Sequence, residues 1–304
     1  MKSSILVVGS VALDSVKTPF GEVDNALGGS ATYFSVAASF FSQVRIVAVV
    51  GNDFSEDYSA IFKRHNIDTK GLVQTDGKTF RWKGEYNHDL NEAHTLETQL
   101  NVFKTFKPKI PASYRASEYV FLGNIDPELQ LEVLRQIEHP KLVACDTMNF
   151  WINGKLEELK HTLGKVDILI INEGEARMLA TEANLVQAAG KIRAMGPRIL
   201  IVKRGEYGVL MFNEGSIFGA PAFPLEAVYD PTGAGDSFAG GFMGYLAQAK
   251  EMTDETFRQS IIFGSVMASF NVEKFSLGGL SKLTRTDIDS RFKQFKNLTH
   301  FETL

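Results

Sequence analysis

Residues 230–236 read Asp-Pro-Thr-Gly-Ala-Gly-Asp, and Ser-Phe-Ala-Gly-Gly-Phe follows directly. Gly233, Ala234 and Gly235 carry almost no side chain, so successive backbone N–H groups can point into one concavity. A helix is predicted behind this turn, and its first residues add unpaired N–H donors and the positive end of the helix dipole. The segment therefore predicts an anion-binding turn with Asp236 at its edge.

The chemistry of this turn follows from its two components. Asp236 can accept a proton from an attacking hydroxyl group, while the turn holds a migrating negative charge. That combination suits phosphoryl transfer to an alcohol, in which positioning and charge stabilisation supply most of the catalysis. The structural alternative is an ordinary tight turn that caps a helix, because Asp and Gly are common in such turns. The two acids and the Gly-Gly behind them favour the functional interpretation.

The composition limits the class of protein. The chain has 304 residues, 44% hydrophobic and 22% charged, which describes an ordinary soluble globular protein with a large core. A net charge of −4 gives no basic footprint for nucleic acid. The single cysteine, Cys145, fits a reducing compartment. The apolar run at residues 5–8 is too short for a signal peptide, and no run reaches the ~20 residues of a membrane span. We expect a cytoplasmic protein.

Short apolar runs alternate with amphipathic segments along most of the chain. The predicted strands are residues 5–8, 45–50, 119–122, 142–145, 168–171, 199–203 and 209–212. The predicted helices are residues 31–41, 58–65, 127–137, 154–163, 174–179, 184–194, 237–249, 254–270 and 286–295. Strands buried on both faces and separated by helices are typical of a parallel sheet with crossover helices. We expect one α/β domain over residues 1–304, with a doubly wound, mostly parallel sheet.

Residues 73–106 break this alternation. Phe80, Trp82 and Tyr86 alternate with basic and polar residues as in a two-faced strand, and residues 98–103 alternate again after a polar stretch. Because such a hairpin does not fit inside a doubly wound sheet, we expect it to cover one end of the sheet. The aromatic side chains then pack the hairpin, form a dimer interface or contact a ligand. Free strand edges in this region also allow a homodimer.

The segment at 230–242 resembles the C-terminal signature of the ribokinase-like (PfkB) carbohydrate and nucleoside kinases. This resemblance implies a ribokinase-like fold in which a small β-sheet lid, here about residues 11–26 and 73–106, closes over the substrate. It also implies an ATP-dependent enzyme that moves the γ-phosphoryl group to a primary hydroxyl of a small sugar or sugar derivative.

Catalytic roles follow from the same resemblance. The residues assigned to catalysis are Asp236, as the base, and Gly233, Ala234 and Gly235, whose amides stabilise the phosphoryl group in transit. Relatives also bind a monovalent cation, often K⁺, beside the anion hole. Asp230 and Thr232 match the start of that cation site, whereas Ser276 stands in a later loop where Gly is frequent.

The acceptor is held in this family by an Asp after the first strand and by a Gly-Gly at the head of the next helix. Asp14, Gly28 and Gly29 match those positions, and Ser30 is expected to cap the helix and to belong to the same site. Relatives of the ribokinase type often carry Lys and Asn in the helix-opening motif, where this chain has Ser30 and Tyr33. That departure leaves room for another sugar or for a nucleoside.

The nucleotide is expected at two further strand ends. Asn172 and Glu175 match an N-x-x-E motif whose side chains organise Mg²⁺ and its waters around the ATP phosphates, although an acidic helix start also complements the helix dipole. Lys203, Gly205 and Gly208 follow another strand. They form either a plain hairpin turn or, as the resemblance implies, the segment that lies against the nucleotide phosphates and ribose.

Several alternatives remain open from the sequence. Asn124, assigned to the acceptor site, and Asp146 each end a predicted strand, where they line the cleft or cap a helix. A nucleoside such as adenosine, cytidine or inosine is the alternative acceptor, with lid aromatic residues stacking on its base. A non-catalytic relative that senses a sugar or a nucleotide is a third interpretation, against which the intact Asp236 argues. Rossmann and Walker motifs are absent from the sequence.

Overall fold

Two β-sheets of different size organise the chain, as seen in a computed structural model that describes residues 3–91, 93–249 and 251–300. In chain order the strands are β1 (Ser4–Val8), β2 (Ala12–Thr18), β3 (Gly21–Gly28), β4 (Gln43–Val50), β5 (Asp68–Gln74), β6 (Phe80–Tyr86), β7 (Ala93–Gln99), β8 (Tyr119–Leu122), β9 (Leu142–Cys145), β10 (Ile168–Asn172), β11 (Ile199–Lys203), β12 (Val209–Asn213) and β13 (Ser216–Ala220).

The larger sheet has the strand order β13-β12-β11-β10-β9-β8-β1-β4-β5. Its neighbours from β5 to β11 all run parallel, and β12 and β13 close one edge as an antiparallel hairpin. Parallel strands bring their carboxyl ends to one edge of the sheet, which is where ligands bind in open α/β sheets. The loops after β1, β9, β10 and β11 therefore share one rim.

Helices cover both faces of the larger sheet. They are α1 (Ser30–Ser39), α2 (Glu56–Arg64), α3 (Pro127–Leu134), α4 (Asn149–Gly154), α5 (Leu156–Leu163), α6 (Glu173–Ala180), α7 (Leu185–Arg193), α8 (Ala234–Gln248), α9 (Asp254–Asn271) and α10 (Arg285–Thr299), with short 3₁₀ helices at Asn101–Thr105, Ala112–Tyr114, Gly205–Tyr207 and Ser276–Gly279. In β1, Ile5 and Val7 join one hydrophobic core and Leu6 and Val8 join the other. The strand is thus buried on both sides, as a doubly wound sheet requires.

The smaller sheet has the order β3-β2-β6-β7. Strands β2 and β6 pair in parallel, whereas β2 with β3 and β6 with β7 pair antiparallel. Strand β2 leaves the end of β1, and β3 leads directly into α1. The smaller sheet therefore stands at the rim formed by the carboxyl ends of the larger one.

The predicted fold class is confirmed: the sheet is doubly wound and mostly parallel, and a small separate sheet accompanies it. All seven predicted strands form. Strands β5 and β13 were not predicted; they are the outermost strands of the larger sheet, and each has exposed positions. Residues 73 and 74 belong to β5 and not to the smaller sheet. Helix α8 starts at residue 234, three residues before its predicted start at 237.

No described helix is both long enough and apolar enough to cross a lipid bilayer.

Candidate active site

Gly233 turns the chain into α8. It is the N-cap residue of that helix and has a left-handed backbone with φ of 74°. A Cβ atom at this position would fall 2.4 Å from the ring of Tyr33, which extends from α1 and is buried. Glycine is therefore required for two reasons, because a side chain would strain the backbone and would also collide with Tyr33.

The amide groups of this turn are only partly free. The Ala234 N–H donates to the Pro231 carbonyl at 3.1 Å, and the Ser237 N–H donates to the Gly233 carbonyl at 2.8 Å. Within the described residues, the N–H groups of Gly233 and Gly235 have no backbone or side-chain acceptor. The Ala234 N–H, which the sequence assigned to the anion site, thus already has an acceptor in the first turn of α8. The N–H groups of Gly233 and Gly235 are donors of this turn that remain free among the described residues.

Asp236 lies in the first turn of α8, half-buried beside these donors. Burial raises the pKa of Asp236 to about 7, the Asp146 carboxylate adds repulsion, and the Lys203 ammonium opposes the rise. A carboxyl group with a pKa near neutrality is well suited to act as a general base, since the free base is present and its proton affinity is high.

Lys203 ends β11 and extends into the same place. Its Nζ lies 3.5 Å from Oδ2 of Asp146, and a Cβ atom on Gly235 would fall 2.6 Å from that Nζ. Burial alone would lower the pKa of Lys203, but Asp146, Glu175 and Asp236 raise it above its usual value. The lysine is therefore a firmly charged cation at the start of α8.

Asp146 is the residue that the sequence left undecided between a cleft position and a helix cap. It directly follows β9, is buried, and accepts the Thr147 N–H at 2.8 Å through Oδ1. Burial raises its pKa while Lys203 lowers it. Asp146 thus stands at the carboxyl end of β9, as Asn172 and Lys203 do for the adjacent strands β10 and β11. This recurrence of polar residues at neighbouring strand ends was the signal in the sequence that could have placed Asp146 in the site.

Asn172 and Glu175 form a reciprocal capping box at the start of α6. The Glu175 N–H donates to Oδ1 of Asn172 and the Asn172 N–H donates to Oε2 of Glu175, both at 2.8 Å. Burial raises the pKa of Glu175 to about 7, and Asp146 and Asp236 repel its charge further, while Lys203 and the Asn172 N–H oppose these effects. Glu175 therefore caps the start of α6, and it also lies near enough to Asp236 for the two charges to repel each other.

The first predicted acceptor residues meet where β2 and β3 pair. Oδ2 of the buried Asp14 accepts the Gly29 N–H at 3.3 Å. A Cβ atom on Gly28 would fall 1.9 Å from that oxygen, so Gly28 must be glycine. Burial raises the pKa of Asp14 to about 7, the Gly29 N–H lowers it, and Asp230 and Asp236 raise it. The carboxylates of the 230–236 segment thus lie near enough to Asp14 to affect its pKa.

The expected helix cap at Ser30 is wrong. Gly29 is the N-cap residue of α1, with φ of 91°, and it has no side chain that could make a capping hydrogen bond. Ser30 is instead tied to Ser10 after β1: each N–H donates to the hydroxyl oxygen of the other serine, at 3.1 and 3.0 Å. The serine pair joins β1 to α1, and it leaves Ser30 buried beneath the rim.

Asp230 is fully enclosed at the start of the motif. Its Oδ1 accepts the Thr232 N–H at 2.9 Å and its Oδ2 accepts the Ser276 N–H at 3.0 Å. Ser276 adopts φ of 52°, the left-handed region in which glycine is frequent, and its hydroxyl donates to the Leu27 carbonyl at 2.6 Å. Asp230 therefore holds the motif and the 276–279 loop together. Asn271 adds a bond of 2.8 Å to the Thr232 carbonyl.

The smaller sheet reaches this motif through Tyr86. The Thr232 hydroxyl donates to the Tyr86 hydroxyl oxygen at 3.3 Å. Burial raises the pKa of Tyr86 to about 12; the Thr232 hydroxyl lowers it, and the Asp230, Asp14 and Asp236 carboxylates raise it. Tyr86 therefore remains protonated. It lies near enough to Asp14, Asp230 and Asp236 for their charges to affect its pKa.

The remaining predicted residues lie further along the rim. Gly205 has φ of 55°, and a Cβ atom there would fall 2.4 Å from Oδ1 of Asn91, in the connection between β6 and β7. Gly208 has φ of 89° and packs against the Ala220 carbonyl of β13. Asn124 is half-buried, and its Oδ1 accepts the Trp151 indole N–H at 3.0 Å.

The described residues contain no group of three His, Cys, Asp or Glu side chains arranged to hold a metal ion.

Comparison with known proteins gives consistent matches. A family model described as pfkB family carbohydrate kinase matches residues 2–283. A cytidine kinase from Thermococcus kodakarensis is 27% identical over 259 residues, which cover 82% of this chain and 91% of that protein. A solved nucleoside kinase from Methanocaldococcus jannaschii has a TM-score of 0.78 at 21% identity and covers 97% of this chain and 99% of its own. A Vibrio cholerae fructokinase double mutant with fructose, ADP and a potassium ion bound has a TM-score of 0.79 at 17% identity, over 96% and 98% of the two chains.

Proposed function

The chain belongs to the pfkB family of carbohydrate kinases and has the ribokinase-like fold, and on that premise we propose that it transfers the γ-phosphoryl group of ATP to a primary hydroxyl of a small sugar or sugar derivative. One observation carries the proposal: Asp236, with its pKa raised to about 7, stands beside the free amides of the Gly233 turn and the Lys203 ammonium. A base, an anion site and a cation thus lie together.

The reaction follows from these three groups. Asp236 takes the proton of the acceptor hydroxyl as the acceptor oxygen forms its bond to the γ-phosphorus. The bond from the γ-phosphorus to the bridging oxygen of ADP breaks, and that oxygen keeps the electron pair. The amides of Gly233 and Gly235 and the ammonium of Lys203 face the negative charge on the phosphoryl group in transit.

The residues present fit a magnesium ion. Glu175 has a raised pKa because it is buried, and because Asp146 and Asp236 repel its charge; Lys203 and the Asn172 N–H only partly oppose these effects. A divalent cation with its waters would relieve that repulsion, and Mg²⁺ needs few protein carboxylates. Glu175 and Asn172, with Asp146 beside them, would hold the hydrated ion. When bound, Mg²⁺ supplies positive charge next to the ATP phosphates.

The nucleotide is proposed to lie along the strand ends from β9 to β11. Lys203 would contact its phosphates, and the turn at Gly205 and Gly208 would follow its ribose. Both glycines have left-handed backbones that other residues rarely adopt, so the turn keeps this shape only with glycine at these positions.

A monovalent cation, K⁺ by preference, is proposed beside the anion site near Asp230 and Thr232. Both carboxylate oxygens of Asp230 already accept N–H groups, so the carboxylate supplies charge to such a site and backbone oxygens supply the contacts. The fructokinase structure with a bound potassium ion supports this proposal.

The acceptor is proposed to bind between the two sheets. Asp14 and the Gly28-Gly29 backbone would hold its hydroxyl groups, with Asn124 further along the rim and Ser30 buried beneath it. The smaller sheet would act as a lid, since excluding water prevents ATP hydrolysis in place of transfer. A nucleoside is the second candidate acceptor, and it is favoured by the likeness to a cytidine kinase over 82% of the chain.

The decisive experiment measures ADP release by the purified protein with ATP, Mg²⁺ and a panel of pentoses, hexoses and nucleosides. We expect acceptor-dependent ADP formation with at least one of them, and its loss in Asp236→Asn. A chain that binds a sugar or a nucleoside without acceptor-dependent ADP release would instead be a sensor, and the proposal would be withdrawn.

A further inference from the structure

We infer that Trp82 is a stacking platform for the base of a nucleoside acceptor, an inference that rests on the phosphoryl transfer proposed above. Trp82 lies in β6 of the smaller sheet, and it is half-buried.

The face of β6 that carries Trp82 looks toward the catalytic turn. In the parallel register of β2 and β6, Asp14 stands opposite Trp82, so the two side chains lie on the same face. Tyr86 follows four residues later on that face, because side chains alternate with a period of two. Tyr86 contacts Thr232, and Asp14 senses the charges of Asp230 and Asp236. Trp82 is therefore turned toward the proposed acceptor site.

The indole lies flat against its own strand. A Cβ atom on Gly84 would fall 2.3 Å from the six-membered part of the Trp82 ring, so the ring occupies the space that a side chain at residue 84 would need. The indole N–H donates to the Thr95 hydroxyl of β7 at 3.2 Å. One ring face thus rests on the strand and one edge is anchored. The opposite ring face is directed away from the sheet.

The other two aromatic residues of β6 have different partners. Phe80 stacks on Phe103, with ring centroids 5.3 Å apart, and Phe103 stacks in turn on Phe106. The Tyr86 hydroxyl is held by Thr232. Trp82 has no ring partner of this kind among the described residues, so no described aromatic side chain occupies the ring face that the base of a ligand would need.

These positions favour an acceptor with two unlike ends. Hydroxyl groups would meet Asp14, and a flat ring would meet Trp82 on the neighbouring strand, about 4.8 Å away in the sheet. A nucleoside has this form, with ribose at one end and a planar base at the other, whereas a free pentose has no aromatic face. Stacking on an aromatic ring tolerates any base. We therefore expect several nucleosides to be accepted. Their KM values should differ less from one another than the KM of a nucleoside differs from that of ribose.

The first test uses fluorescence in the absence of ATP, so that it does not depend on turnover. The chain has two tryptophans, and Trp151→Phe leaves Trp82 as the single emitter. Titration with cytidine, adenosine or inosine should quench this emission in a saturable way, and ribose should not. If no nucleoside quenches Trp82, or if ribose quenches it equally, the platform is refuted.

The second test uses kinetics with matched variants. Trp82→Leu and Gly84→Ala, which displaces the indole, should each raise the KM for nucleosides about tenfold or more. Trp82→Phe keeps a flat ring and should raise the KM for nucleosides much less. Phe80→Leu, on the same strand, should leave the ratio of nucleoside KM to ribose KM unchanged. An equal rise in the KM for nucleosides and for ribose in Trp82→Leu would overturn the inference. Absence of acceptor-dependent ADP release in the unmodified protein would overturn the proposed kinase activity. The fluorescence titration, which needs no turnover, would then still show whether Trp82 stacks on a nucleoside base.

Discussion

Asp146 and Lys203 form a buried ion pair, with Oδ2 of the aspartate 3.5 Å from Nζ of the lysine, directly behind the first turn of α8. The pair adds charge to the 230–236 turn from outside that segment. After burial, the Asp146 carboxylate is the largest cause that raises the pKa of Asp236 and of Glu175. Its removal should therefore change the ionisation of both carboxyl groups.

Asp146→Asn should move the acid limb of the pH–rate profile to lower pH. Asp236 must be ionised to accept a proton, and loss of a neighbouring negative charge lowers its pKa from about 7. The profile of kcat/KM against pH measures this shift. Asp126→Asn removes a carboxylate that pairs with Lys155 elsewhere and should leave the limb in place. An acid limb that does not move in Asp146→Asn would refute the assignment of the limb to Asp236.

Asp236→Asn should lose turnover by a factor of about 10²–10⁴, the usual contribution of a general base. Asparagine has nearly the same shape and cannot accept the proton, so the affinity for ADP should change little. Steady-state kinetics measure the first quantity and calorimetric titration with ADP measures the second. Turnover within a few-fold of the unmodified protein would exclude Asp236 as the base.

Glu175→Gln should give a milder loss that high Mg²⁺ partly restores. Glutamine keeps the side-chain oxygen that accepts the Asn172 N–H, so the capping box survives and only the charge is removed. The measurement is the Mg²⁺ concentration that gives half-maximal rate, which should rise. If that concentration does not change, Glu175 has no part in metal binding.

Much of the larger sheet could be predicted because its central strands are buried on both faces. Residues 168–171 illustrate this, as an apolar run between helices has no other stable place. Strand β5 lies at a sheet edge and has exposed polar positions, so its sequence does not differ from that of a loop. Strand β13 lies at the other edge and is short, and its exposed positions are Ile217 and Gly219, so it has no pattern of a buried strand.

The candidate site could be interpreted from sequence mainly where its residues are close together in the chain. The segment at 230–236 contains both the carboxyl group proposed as the base and the proposed amide donors, so it could be interpreted alone. The contact of Thr232 with Tyr86 joins residues 146 positions apart and depends on how the two sheets meet. Likewise, the choice of Gly29 over Ser30 as N-cap depends on Ser10, which holds the Ser30 hydroxyl elsewhere.

Gly233→Ala should destabilise the protein and impair turnover together. A left-handed backbone costs an alanine about 1–2 kcal/mol, and the new methyl group would meet the Tyr33 ring. Chemical denaturation measures the free energy of unfolding. Gly190→Ala is the matched control: residue 190 is exposed in α7, no heavy atom lies within 4 Å of the new methyl group, and a gain of about 0.5–1 kcal/mol is expected. Equal effects of the two substitutions would contradict the requirement for glycine at 233.

The ligand-free protein should lose stability as the pH rises from about 4 to about 8. Burial raises the pKa of Asp14, Asp236 and Glu175 to about 7, so each binds a proton in the folded state over a range in which the unfolded chain has released it. A folded state that holds more protons is favoured at low pH, and this advantage disappears as the pH passes the folded pKa. Thermal unfolding at pH 5.5 and pH 8 measures the difference. Asp236→Asn removes one of the three groups and should reduce the loss of stability between these pH values. An equal loss in the variant would mean that Asp236 ionises in the folded protein as it does in the unfolded chain, and its proposed role as a base near neutrality would lose its physical cause.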